Sequence, residues 1–206
     1  MKITKRSLTL FVLLAIVLTV AGVKWYKASH VHKIDSVQSR SKGPVTAKVQ
    51  IVEFIDFECP ACAYGVGLLH KYLAKYPNDI HVQVKYFPLI RNHRHAMQSA
   101  LYNECAARQG KFWEFNDLMM TSQAQWSPLI SADNMFQDMA KQAGLNLSVL
   151  NACIASDDAK EAIDDERMLG QSLSIQSTPT YFVNDKMVVG GKSLTEELNT
   201  YFPGGV

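Results

Sequence analysis

The tetrapeptide Cys59-Pro60-Ala61-Cys62 limits what this chain can fold into more than any other feature. It closes an alternating apolar segment, 49–57, and opens a segment with helical spacing, 60–76. A strand followed at once by Cys-x-x-Cys at a helix start is the arrangement of a redox dithiol. Cys59 would take the N-cap and Pro60 the first helical position, where a missing N–H costs nothing. The unpaired N–H groups of the first turn would then face the Cys59 sulfur, and the helix dipole would favour its thiolate. The thiolate is the reactive species, so this position activates Cys59. Cys62, one turn further in, would be the buried thiol that resolves a mixed disulfide.

Two blander uses of the motif fare worse. A structural zinc site needs four ligands, and the remaining cysteines, Cys105 and Cys153, lack knuckle spacing. A purely structural Cys59–Cys62 bond would close too small a loop to stabilise much. No metal and no dissociable cofactor is therefore expected.

The first 26 residues stand apart from the fold. Lys2, Lys5 and Arg6 precede an apolar run, 8–23, broken only by Thr9, Thr19 and Gly22. That pattern is a secretory signal or an uncleaved signal anchor, the anchor being favoured. The run is short for a spanning helix, but Trp25 and Tyr26 suit the membrane interface. The positive-inside rule then sends the rest of the chain across the membrane. Residues 27–47, rich in serine with Gly43 and Pro44, read as a flexible linker. A formal charge of +2 and the lack of a basic aromatic patch speak against nucleic acid.

From residue 48 onward the chain reads as one α/β domain. Strands are expected at 49–57 and 80–89, with the helix 60–76 between them, so the two strands should be parallel. Helical patterns follow at 95–108, 112–121, 131–143, 148–155 and 157–173. Short strands at 180–183 and 187–189 flank a turn at Asn184-Asp185-Lys186, and a helix over 194–201 closes the domain. Met135 and Met139 read as core, His93 and His95 beside Arg91 and Arg94 as loop and helix-start residues, and Phe112, Trp113 and Phe115 as packing.

This order resembles the DsbA-like thioredoxin-fold oxidoreductases. The likeness rests on the segment from Val52 through Cys62, on Lys85-Tyr86-Phe87-Pro88-Leu89, on His95-Ala96, on Gly110-Lys111-Phe112-Trp113-Glu114-Phe115, and on Ser177-Thr178-Pro179-Thr180-Tyr181-Phe182-Val183. It implies a thioredoxin fold with an inserted helical domain at about 92–173, preceded by the N-terminal signal or anchor helix. It implies Cys59 as nucleophile, Cys62 as resolving thiol and Pro179 as a cis proline facing them. A cis Thr178–Pro179 bond would bare the Thr178 backbone for pairing with an extended substrate. Glu53, on a central strand, resembles a buried proton acceptor beneath the dithiol; burial without a partner would raise its pKa. Lys85, on the neighbouring strand, matches a basic position and is expected to pair with Glu53. Family members with histidine as the third motif residue gain thiolate stabilisation that Ala61 lacks, and Glu58 adds an adverse charge, which weakens an oxidant.

Cys105 and Cys153 lie on apolar faces of two helical segments. They are either small core residues or a structural disulfide, and an exported compartment with an even cysteine count favours the bond. The functional expectation is an exported thiol–disulfide oxidoreductase, acting as an oxidase at the inner membrane facing the periplasm, or soluble in the periplasm after cleavage. Its partners would be exported proteins with thiols or disulfides, a membrane redox partner, and the membrane itself through the N-terminal segment. A reductase or isomerase of the same fold, or a redox-inert peptide-binding module, are the alternatives.

Overall fold

The computed structural model describes residues 38–206 and, before them, Thr19 alone. The signal or anchor expectation at 8–23 therefore lies, but for Thr19, outside the described residues. Among the described residues no helix is long and apolar enough to cross a membrane.

The described strands form a sheet of five in the order β1–β3–β2–β4–β5: β1 is Ser41–Lys42, β2 Val49–Ile55, β3 Ile80–Tyr86, β4 Thr180–Val183 and β5 Lys186–Val189. β2 and β3 are parallel, joined by helix α1, Pro60–Lys75; the other pairings are antiparallel. Asn184 and Asp185 adopt positive φ in the tight β4–β5 turn, which these two residue types tolerate well. Between β3 and β4 run α2 (Ala96–Ala107), α3 (Phe112–Thr121), α4 (Gln123–Trp126), α5 (Asp133–Gln142), α6 (Leu147–Ile154) and α7 (Asp157–Ser172); α8 (Gly190–Tyr201) closes the chain.

Strand parity divides the core. Ile51, Glu53 and Ile55 of β2 point to one face, beneath α1; Val52 and Phe54 point to the other, where Phe54 packs with Phe87 and Ile175 near α7. Both faces are covered, so β2 is buried at nearly every position. Gly65 sits inside α1 because a Cβ there would come within 2.1 Å of the Tyr181 hydroxyl on β4. The inserted helices share the main core instead of forming a separate one. Tyr102, Trp126 and Phe136 meet there edge to face, with centroids 5.2 and 5.0 Å apart. Cys105 on α2 and Cys153 on α6 are joined as a disulfide, with Cα atoms 5.8 Å apart.

Several boundaries differ from expectation. The linker expected over 27–47 ends sooner: Gln38–Arg40 form a short 3-10 turn, and Arg40 is 2% exposed. Its guanidinium makes a two-pronged ion pair with Glu166 of α7 (2.7 and 2.8 Å) and lies 4.2 Å over the Tyr86 ring. A serine-rich segment looks like a tether until a charge in it finds a buried partner 126 positions away. The helix expected from 131 starts at Asp133, and the one expected from 148 starts at Leu147 because Asn146 caps it, accepting from Ser148 and Val149 N–H. α8 starts four residues before the expected 194, through Gly190 and Gly191.

Candidate active site

Cys59 stands at the N-cap of α1 with extended backbone, and Pro60 follows inside the first turn. The Cys59 sulfur is half-buried; Cys62 is fully buried one turn along. Both are free thiols. The Cys62 thiol, donating to Cys59, is the largest influence lowering the Cys59 pKa to about 5; burial opposes it, and Thr178 and the Cys62 and Ala61 N–H groups add to it. Burial, and then the thiolate beside it, push Cys62 well above the ordinary thiol range. The pair is thus split into one ready thiolate and one held proton.

The loop before Cys59 is pinned on several sides. Asp56, wholly buried, accepts the N–H groups of Glu58 and Leu89 and a ring nitrogen–proton of His93, each at 2.8 Å. Gln123 of α4 donates to the carbonyls of Phe57 (2.7 Å) and Cys59 (2.9 Å). Glu58 accepts the His95 N–H at 2.5 Å. Opposite the dithiol, the Thr178–Pro179 peptide bond is cis, and the Thr178 carbonyl lies 3.4 Å from the Cys59 sulfur.

Glu53 lies beneath the pair, 1% exposed, on the same face of the sheet as α1. Burial raises its pKa to about 8; the Tyr181 hydroxyl, from the residue opposite it on β4, pulls the other way. That contact is loose, since neither Glu53 Oε1 nor Tyr181 Oη makes a hydrogen bond of good geometry. Glu53 is close enough to Cys62 for its charge to raise the thiol further.

Lys85 does not join this group. Val49 pairs with Ile80, so Glu53 stands level with Val84 and Lys85 stands level with Phe54. Lys85 therefore projects to the opposite face, and the expected Glu53–Lys85 ion pair is not made. Neighbouring strands brought the two residues close in sequence pattern; a register one residue off the needed one separated them. Conversely, Tyr181, Gln123 and Asp56 were not among the expected site residues. Tyr181 sits two positions beyond Pro179, so its parity in a strand was readable; Gln123 carried no signal, lying in a four-residue helix.

A buried thiol, an activated thiol at a helix start, a facing cis proline and an acid below define a protein of the thioredoxin-like, dithiol-bearing class. The family model described as thioredoxin matches residues 35–201, and the chain belongs to that family. Among solved structures it is similar to the thiol-disulfide exchange protein alpha-DsbA2 of Wolbachia pipientis (17% identity, TM-score 0.68, covering 84% of this chain and 92% of that one). It is also similar to alpha-DsbA1 of the same organism (21%, TM-score 0.68, 78% and 87%). At these identities the likeness speaks for the fold. Among curated proteins it is 30% identical over 157 residues to Na(+)/H(+) antiporter NhaA 1 of Mycolicibacterium gilvum. That match takes in 74% of this chain but 24% of the relative, so the chain spans about a quarter of the length of the curated relative.

Proposed function

We propose that this protein is a thiol–disulfide oxidoreductase that works as an oxidase on proteins outside the cytoplasm. The observation that carries the reading is the split pair: Cys59 held as a thiolate at about 5, Cys62 held as a buried thiol. In the oxidised protein a substrate thiolate attacks the Cys59 sulfur. A substrate–Cys59 bond forms, the Cys59–Cys62 bond breaks, and the electron pair leaves on Cys62. Glu53, protonated at neutral pH because its pKa is about 8, returns a proton to Cys62. A second substrate thiolate attacks the substrate sulfur of the mixed disulfide, and Cys59 leaves as its stable thiolate. The substrate ends as a disulfide and the protein as a dithiol.

The direction follows from the leaving group. A stabilised Cys59 thiolate stabilises the reduced protein, and that makes the oxidised form an electron acceptor. Ala61 does not prevent this, because the Cys62 thiol and two backbone N–H groups supply the stabilisation. The Thr178 backbone is the docking edge for the substrate chain. The Cys105–Cys153 disulfide and the apolar run at 8–23 support a site of action beyond the cytoplasmic membrane, anchored or released. Sodium–proton exchange is named for a protein about three times this chain's length, and no step above draws on it.

The test is trapping with potential. Cys62→Ala should accumulate mixed disulfides through Cys59 on non-reducing gels of oxidised extract, and Cys59→Ala should not. The wild-type potential should be more positive than about −200 mV. No trapped partners would sink the oxidoreductase reading; trapped partners with a potential near that of a reductase, about −270 mV, would reverse its direction.

A further inference from the structure

An open trough of about 880 Å³, counting the space open to solvent, lies between the 87–92 segment and α7. Its lining is mixed, with Phe87, Ile90 and Ile175 beside Asn92, Gln171 and Gln176, and each of its two walls carries an arginine, Arg91 on one and Arg167 on the other. Both walls are tied to the reacting centre. The wall that carries Arg91 is the 87–92 segment, fixed where the Leu89 N–H and His93 reach Asp56, three residues before Cys59. The other wall ends in Gln176, two residues before Thr178, whose carbonyl touches the Cys59 sulfur. A chain held against Thr178 with its sulfur at Cys59 therefore has the trough as its next surface.

We propose that this trough binds an extended segment of the protein substrate bearing acidic side chains, several residues from the reacting cysteine; the proposal rests on the oxidoreductase reading above. The charge of the walls argues for it. Arg91 is exposed and, among the described residues, engaged in no ion pair. Arg167 has only a loose contact with Asp164, 3.8 Å away on its own helix. The nearby basic groups are committed elsewhere: His93 to Asp56, and Arg94 to the Leu129 carbonyl at 3.4 Å. Two guanidiniums on facing walls of a lining of mixed polarity match a carboxylate-bearing strand. A basic segment would meet like charge from both walls.

The test uses the full chain and two synthetic dithiol peptides of equal length. One carries two glutamates and the other two lysines, placed four or more residues from the cysteines so that thiol acidity is unaltered. At low salt the oxidised protein should react with the acidic peptide about ten-fold faster, and the gap should narrow as salt is raised. Arg91→Glu with Arg167→Glu should reverse the order of the two peptides while leaving the rate with dithiothreitol, an uncharged dithiol, unchanged. Arg91→Glu alone, at an exposed position, should shrink the preference about three-fold. Equal rates for the two peptides, or a preference that survives the double substitution, would overturn the trough assignment while the dithiothreitol reaction still stands for the chemistry. A wild-type protein that fails to oxidise dithiothreitol would overturn the chemistry and the trough with it.

Discussion

Glu53 and Glu166 are two carboxyls shut away from water to the same degree, 1% and 2% exposed, yet the protein treats them in opposite ways. Glu166 is met by Arg40 with two hydrogen bonds and also accepts the Tyr86 N–H at 2.7 Å. Glu53 meets only a loosely placed tyrosine hydroxyl, and burial lifts it to about 8. A buried acid with a cation and an N–H behaves as a rivet between α7, β3 and the entering chain. A buried acid without them stays ready to exchange a proton near neutral pH. Burial alone does not distinguish structure from chemistry; the partners do.

Removing the cation should break the contrast most. Arg40→Ala leaves Glu166 buried with no cation among the described residues to replace the guanidinium, while Glu104, 3.9 Å from Arg40, keeps Arg108 at 2.8 Å. Urea unfolding at neutral pH should show a loss of about 3–5 kcal/mol. An unchanged unfolding midpoint at pH 7 would mean that Arg40 is not a rivet.

Glu53→Gln should have the next largest effect, and of opposite sign. Between its ordinary value of 4.5 and about 8, the folded protein holds a proton on Glu53 that the unfolded chain has lost. Wild-type stability should therefore fall as pH rises across that window and level off above it. The glutamine variant lacks this fall, so at pH 8.5 it should be more stable than wild type by roughly 2–4 kcal/mol, and at pH 4 nearly equal to it. Its thiol exchange should slow several-fold and lose the inflection near pH 8. Matching pH–rate profiles for the two proteins would remove Glu53 from the chemistry.

The smallest expected effect sharpens the comparison from the side of Lys85. Because Lys85 faces the Phe54 side of the sheet, Lys85→Met should leave the Glu53 inflection in the exchange rate within about 0.3 pH unit of wild type. A shift of a full unit would show that the lysine reaches Glu53 after all.

Much of this was readable from residues alone, and what was hidden has a common cause. Local chemistry showed through: the Cys59-to-Cys62 motif, the α1 start at Pro60, the α3 span and the β4 span all follow from neighbours in sequence. β1 and α4, at two and four residues, are shorter than any period that marks them. The remaining gaps are long-range pairings. Arg40 finds Glu166, Tyr181 finds Glu53, and Lys85 misses Glu53, through register and packing that no local pattern records. The alternation of β2 announced that Glu53 would be buried; it was silent on which residue of β3 would stand beside it.

The parity of β2 has a consequence for how such a sequence can change over generations. Substitutions along Val49–Ile55 alter the site by degrees, trading one side chain for another on a fixed face. Loss or gain of a single residue between Val49 and Glu53 would turn the strand over. The acid would land among Phe87 and Ile175 and Phe54 would land under the dithiol, with Cys59 and Cys62 themselves untouched. In a strand of this kind, length holds the site in place as much as side-chain identity does.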